Sequence, residues 1–182
     1  MHSPAPGTGP RYAGSVSSFS VRPARTADIP GIQSLVEPLV HERVLLGKDL
    51  VMFYEAVQEF RVAEAADGTI IGCGALHVMW HDLGEVRTLA VDRGYRGTGV
   101  GHALLERIEA DARTLGLSRL FCLTFETEFF GRHGFEPIAE SIVDPEVFMQ
   151  LTLSPDEGVA EFLDLSRVKQ NTLGNTRMLK LL

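Results

Sequence analysis

The chain has two cysteines, one tryptophan, three tyrosines and no apolar run of membrane-spanning length in its 182 residues. Cys73 and Cys122 both fall in strand-like segments, which predicts buried reduced thiols rather than a disulfide or a metal site. Basic residues are in deficit, 17 Lys and Arg against 24 Asp and Glu, for a net charge of −7. That balance excludes the broad positive surface by which proteins hold nucleic acid or anionic lipid, so small-molecule substrates are expected. The first residues lack the apolar stretch of a signal peptide, and a soluble cytoplasmic protein is the expectation. His77 and His81 stand four apart beside Asp82. In an extended strand that spacing does not converge, and no third ligand accompanies it, so no metal is expected.

With 45% hydrophobic residues the chain suits a single folded domain. Residues 1–18 combine Pro, Gly and Ser without apolar periodicity, which reads as a disordered tail, leaving 19–182 as the domain. Phe19–Ala24 reads as a strand and Thr26 onward as a helix with buried Ile32, Leu35, Val36 and Leu39. A second helix is expected over Asp49–Gln58. Asp67-Gly68 between Phe60–Ala65 and Thr69–Met79 predicts a hairpin. Further strands are expected at Glu85–Val91, Arg119–Thr124, Phe135–Ala139 and Arg177–Leu182, with a short helix at Thr127–Arg132 and an irregular stretch from Ser141 to Thr172. There is no internal repeat.

The informative segment begins at Glu85. The strand Glu85–Val91 runs into Arg96-Gly97-Thr98-Gly99-Val100-Gly101 and then into a helix in which Val100, Leu104, Ile108 and Leu115 recur at helical spacing. Glycines at a helix start free consecutive N–H groups to hold an anion. A dinucleotide fingerprint needs glycine where His102 stands, and a triphosphate loop needs Gly-Lys-Ser/Thr, which is absent. Arg-x-x-Gly-x-Gly after a strand ending Leu-Ala-Val instead resembles the coenzyme A signature of the GNAT N-acetyltransferases. The order of elements from Phe19 to Leu182 matches that family's mixed α/β fold, a central mixed sheet flanked by helices, with a longer connection at Ser141–Thr172.

Four segments are more specific: Asp49–Val57, Gly84–Val91, Leu120–Thr124 and Phe129–Phe135. They resemble the short, single-domain type of N-acetylglutamate synthase, which implies acetyl transfer from acetyl-CoA to the α-amine of glutamate or glutamine in arginine biosynthesis. The resemblance implies that the diphosphate of acetyl-CoA rests on Arg96, Gly97, Thr98, Gly99, Val100 and Gly101, with the pantetheine arm along Leu89, Ala90 and Val91. It places Glu85 where several GNAT enzymes carry a general base, although the same residues allow a purely structural Glu85–Arg87 pair. Phe130 occupies the position of the usual proton-donating tyrosine, so Thr124 or a bound water becomes the candidate donor. Lys48, Arg87 and Arg177 are the candidate cations for substrate carboxylates. Val147, Phe148, Leu151 and Leu153 read as core, as a lid, or as part of a homodimer face. Two other functions fit the sequence: acetylation of a protein N-terminus or other small amine, and a regulatory module that binds acetyl-CoA or an amino acid without turnover.

Overall fold

A computed structural model describes residues 11–12, 18–139, 143–163 and 174–182. The expected tail lies outside these residues except for Ser18 and Arg11–Tyr12. The latter pair is not tail: it forms a two-residue strand, β1, antiparallel to β2 at Phe19–Pro23. The chain forms two compact units, neither of them a continuous stretch. One holds residues up to Leu76 with Thr88–Asp111, the other His77–Arg87 with Ala112–Leu182.

In the first unit, helix α1 (Ile29–His41) follows β2, then α2 (Leu50–Glu55), β3 (Phe60–Ala65) and β4 (Ile70–Val78). The end of β5 (Leu83–Val91) and helix α3 (Val100–Thr114) complete it. The strand order is β1-β2-β3-β4-β5, antiparallel from β1 to β4. Asp67-Gly68 makes the expected hairpin turn. Gly68 takes φ +87°, and the Asp67 side chain accepts the Thr69 N–H at 2.9 Å. Ile29, Ile32, Val36 and Leu39 recur every third or fourth residue along α1, so one stripe packs on Phe53, Phe60, Val62 and Cys73. A second core joins Phe19, Val21 and Ala63 to Val100, Ala103 and Leu104 of α3. Glycine at 72 and 74 lets that helix lie close on β4: a Cβ on Gly72 would stand 2.8 Å from Val100 Cγ1, and one on Gly74 would stand 2.9 Å from Ile108 Cδ1.

In the second unit the order is β5-β6-β8-β7, with β6 at Arg119–Thr124, β7 at Glu136–Pro137 and β8 at Thr176–Leu181. β6 runs parallel to β5 and antiparallel to β8, which makes the arrangement mixed. Helix α4 (Thr127–Arg132) follows β6 as expected. The strand expected at Phe135–Ala139 shrinks to two residues at the edge of the order, where a proline is tolerated because no further strand needs its N–H. The irregular stretch expected from Ser141 contains two helices, α5 (Pro145–Leu151) and α6 (Glu157–Phe162). They form because each gains an apolar partner. Leu151, Val159 and Phe162 are buried with Leu83 and Phe121, the Phe121 and Phe162 rings meeting edge-on at 4.8 Å. Val147 and Phe148 pack against this cluster, whereas Leu153 is 76% exposed.

Candidate active site

β5 carries candidate positions in both units. Its continuation in the first unit is shaped by a chain of turn bonds. The Asp92 side chain accepts the Gly94 N–H at 2.8 Å, and the Tyr95 carbonyl accepts the Thr98 N–H at 3.3 Å and its hydroxyl at 2.6 Å. Gly97 and Gly99 hold φ of +77° and +92°, which side chains resist. Nothing lies within 4 Å of where a Cβ on either would stand. Helix α3 starts at Val100, and among the described residues the N–H groups of Gly97, Gly99, Val100 and Gly101 have no protein partner. These donors, at the positive end of a 15-residue helix and beside the exposed Arg96, form a cradle for a polyanion.

Thr88, just before Leu89, Ala90 and Val91, takes φ +53°. A β-branched residue in that region is strained, and strain of this kind marks functional strands. No glycine announces the kink, so it is not legible from the residues alone. The pairing of β5 with β6 ends at Glu85↔Phe121.

In the second unit, Glu85 is 5% exposed, and its carboxylate faces a guanidinium. Arg87 Nε donates to Glu85 Oε2 at 2.6 Å, while Nη1 and Nη2 donate to the two oxygens of Asp156 at 3.0 and 2.5 Å. Arg87, expected to bind substrate, is therefore engaged by two protein carboxylates. Burial works against the Arg87 charge, but the charges of Glu85 and Asp156 outweigh it and raise the guanidinium pKa. Burial also pushes the Asp156 carboxyl up, and the hydrogen bonds and charge of Arg87 overcome this to bring it to about 2. Asp156 also caps α6, its Oδ1 accepting the Val159 N–H at 2.9 Å. A Cβ on Gly158 would stand 2.7 Å from Arg87 Nη2 and 2.9 Å from Glu85 Oε2, so only glycine lets α6 approach the pair this closely.

Register sorts the remaining candidates. Glu85 pairs with Phe121, and Leu123 with Arg177, so strand alternation puts Glu85 and Arg177 on one face. Thr124 pairs with Thr176 on the opposite face, and its hydroxyl accepts the Glu126 N–H at 2.9 Å. The two expected catalytic side chains thus do not share a face. Lys48 lies half-buried between α1 and α2 in the first unit. Phe130 is core, its ring 5.1 Å from that of Phe135. His81 is exposed, Asp82 pairs with Arg119 at 2.8 Å, and the described residues contain no group of three metal-ligating side chains. Both thiols are free and buried, and burial pushes Cys73 up to about 12. Asp156 and Gly158 escaped the sequence reading. The Asp-x-x-Val cap pattern signals a helix start, but nothing linear ties it to Arg87.

Residues 35–135 match the model of the Acetyltransferase (GNAT) family. An amino-acid acetyltransferase of Mycobacterium tuberculosis is 57% identical over 164 residues, covering 89% of this chain and 94% of that protein. An amino-acid acetyltransferase of Azotobacter vinelandii is 40% identical over 119 residues, which span 64% of this chain but 27% of that longer relative. Among solved structures, Rv2747 of M. tuberculosis in complex with CoA and a second ligand superposes with a TM-score of 0.85 at 57% identity, covering 89% of this chain and 98% of that one. N-acetylglutamate synthase of Neisseria gonorrhoeae, complexed with coenzyme A and N-acetyl-glutamate, gives a TM-score of 0.72 at 29% identity, covering 90% of this chain and 35% of that one.

Proposed function

Because the chain belongs to the GNAT acetyltransferase family and has its fold, we propose that it moves acetyl from acetyl-CoA to the α-amine of L-glutamate or L-glutamine, a reaction that opens arginine biosynthesis. The observation that carries this reading is the 57% identity spanning 94% of the M. tuberculosis amino-acid acetyltransferase. The N–H groups of Gly97, Gly99, Val100 and Gly101, without a protein partner among the described residues, support diphosphate binding, with Arg96 adding charge and Leu89, Ala90 and Val91 offering backbone to the pantetheine arm.

Transfer requires a neutral amine, a polarised thioester and a proton for the departing sulfur. The amine nitrogen bonds to the acetyl carbon, the carbon–sulfur bond breaks, and the thiolate takes a proton as the amine gives one up. Glu85 is the base in this reading: Arg87 occupies its Oε2, and Oε1 has no partner among the described residues. The opposite face of Thr124 argues for a bound water, rather than its hydroxyl, as the donor to sulfur. Arg177 shares the Glu85 face and in this reading takes a substrate carboxylate, while Lys48, in the first unit, is a candidate cation by resemblance alone.

Turnover measured across free amino acids, peptides and simple amines tests the proposal. Activity is expected with glutamate or glutamine. Glu85→Gln is expected to lower kcat/KM by about 100-fold or more and to remove the acid limb of its pH profile. Equal rates and profiles for wild type and variant would defeat the base assignment. Acetyl-CoA binding with no product from any amine would defeat the enzyme reading in favour of a regulatory module.

A further inference from the structure

The Glu85–Arg87 pair poses a chemical problem. An arginine beside a single carboxylate normally grips it with two parallel N–H bonds, which would occupy both oxygens and make the carboxylate a poor proton acceptor. Here the grip is turned elsewhere. The two terminal nitrogens of Arg87 face Asp156, and Glu85 receives only the Nε bond. Asp156 is itself fixed by capping α6 through Val159 and by its own N–H on Ser154 Oγ at 3.2 Å. Gly158 removes the side chain that would keep this turn away from Arg87.

We propose that Asp156 is a positioning residue for acetyl transfer: it holds and neutralises the Arg87 guanidinium so that one oxygen of Glu85 stays available to take the amine proton. The inference rests on Glu85 acting as the base. Among the described residues, the charged and titratable groups around Glu85 include Arg87 on β5, Asp156 on the α5–α6 connection and Cys122 on β6, with Arg177 of β8 on the same sheet face and His77 on β4 acting on Asp156. Arg87 is shared between the two carboxylates, so the three groups together carry one net negative charge. Removing the Asp156 charge releases the whole guanidinium onto Glu85, which then becomes harder to protonate.

The test is the pH dependence of kcat/KM for wild type, Asp156→Asn and Glu85→Gln. Asparagine keeps the shape and the oxygen that caps α6, and Asp156→Ser, which also keeps a cap oxygen, repeats the test if asparagine does not fold. The acid limb is expected to move down by about one pH unit. A fall in kcat of about three- to tenfold should accompany it, with the KM for acetyl-CoA unchanged. An acid limb that stays in place or moves upward in a folded variant overturns the proposal. If Glu85→Gln removes the limb while Asp156→Asn leaves it unmoved, this inference alone fails. If Glu85→Gln leaves the limb intact, the base assignment fails and takes the inference with it.

Discussion

A single carboxylate, Asp156, ties the Arg87 guanidinium to the start of α6, and its acid–base behaviour follows from that contact. Its folded value of about 2 lies below the ordinary carboxylate value of about 3.9. The stabilisation it contributes is therefore fully present above about pH 4 and is lost as pH falls through about 2. Melting temperature is expected to drop between pH 4 and pH 2 in the wild type and to drop less in Asp156→Asn. Equal drops would show that the ion pair does not contribute to stability. Glu85 and Arg87 were legible from linear sequence because strand alternation puts i and i+2 on one face. Asp156 was not, because it meets Arg87 across 69 positions and two short helices that gave no periodic signal. The face that Thr124 presents was not legible for the related reason that position along a strand is readable while its facing depends on register.

Among the elements, α3 lies on β4 because Gly72 and Gly74 have no side chains. A methyl group on Gly72 would stand 2.8 Å from Val100 Cγ1, 3.0 Å from Leu104 Cδ1 and 3.3 Å from the Ala90 carbonyl. Gly72→Ala is expected to cost about 1–3 kcal/mol, as overpacking a filled core does. Denaturant unfolding measures this, and an unchanged midpoint would mean that helix and strand are looser than the contacts require. Long elements with strong periodicity or a signalled turn were readable: α1, α3, the hairpin at Asp67-Gly68, and β6 to the residue. The seven-residue α5 and six-residue α6 were not, since neither completes two turns and both take their stability from Phe121 and Leu83 rather than from local pattern. The kink at Thr88 was invisible for a different reason: a residue that opposes its own backbone conformation leaves no signature.

For the molecule as a whole, cofactor affinity depends on where its hydrogen-bond donors lie. A chain with a net charge of −7 does not hold a polyanionic cofactor by bulk attraction. Affinity must come from local donors, and the described residues concentrate them between Gly97 and Gly101. The family and its fold were legible in the spacing of those glycines after a strand. The two-unit organisation was not, because the chain passes from one unit to the other inside β4, β5 and α3, where the local pattern does not change. Acetyl transfer depends first on cofactor binding, so calorimetric titration of the intact protein with acetyl-CoA tests it most directly. A saturable heat is expected, with affinity reduced about tenfold or more by Gly97→Ala or Gly99→Ala in protein that remains folded. No heat from folded wild-type protein, or equal affinity in both variants, would contradict it.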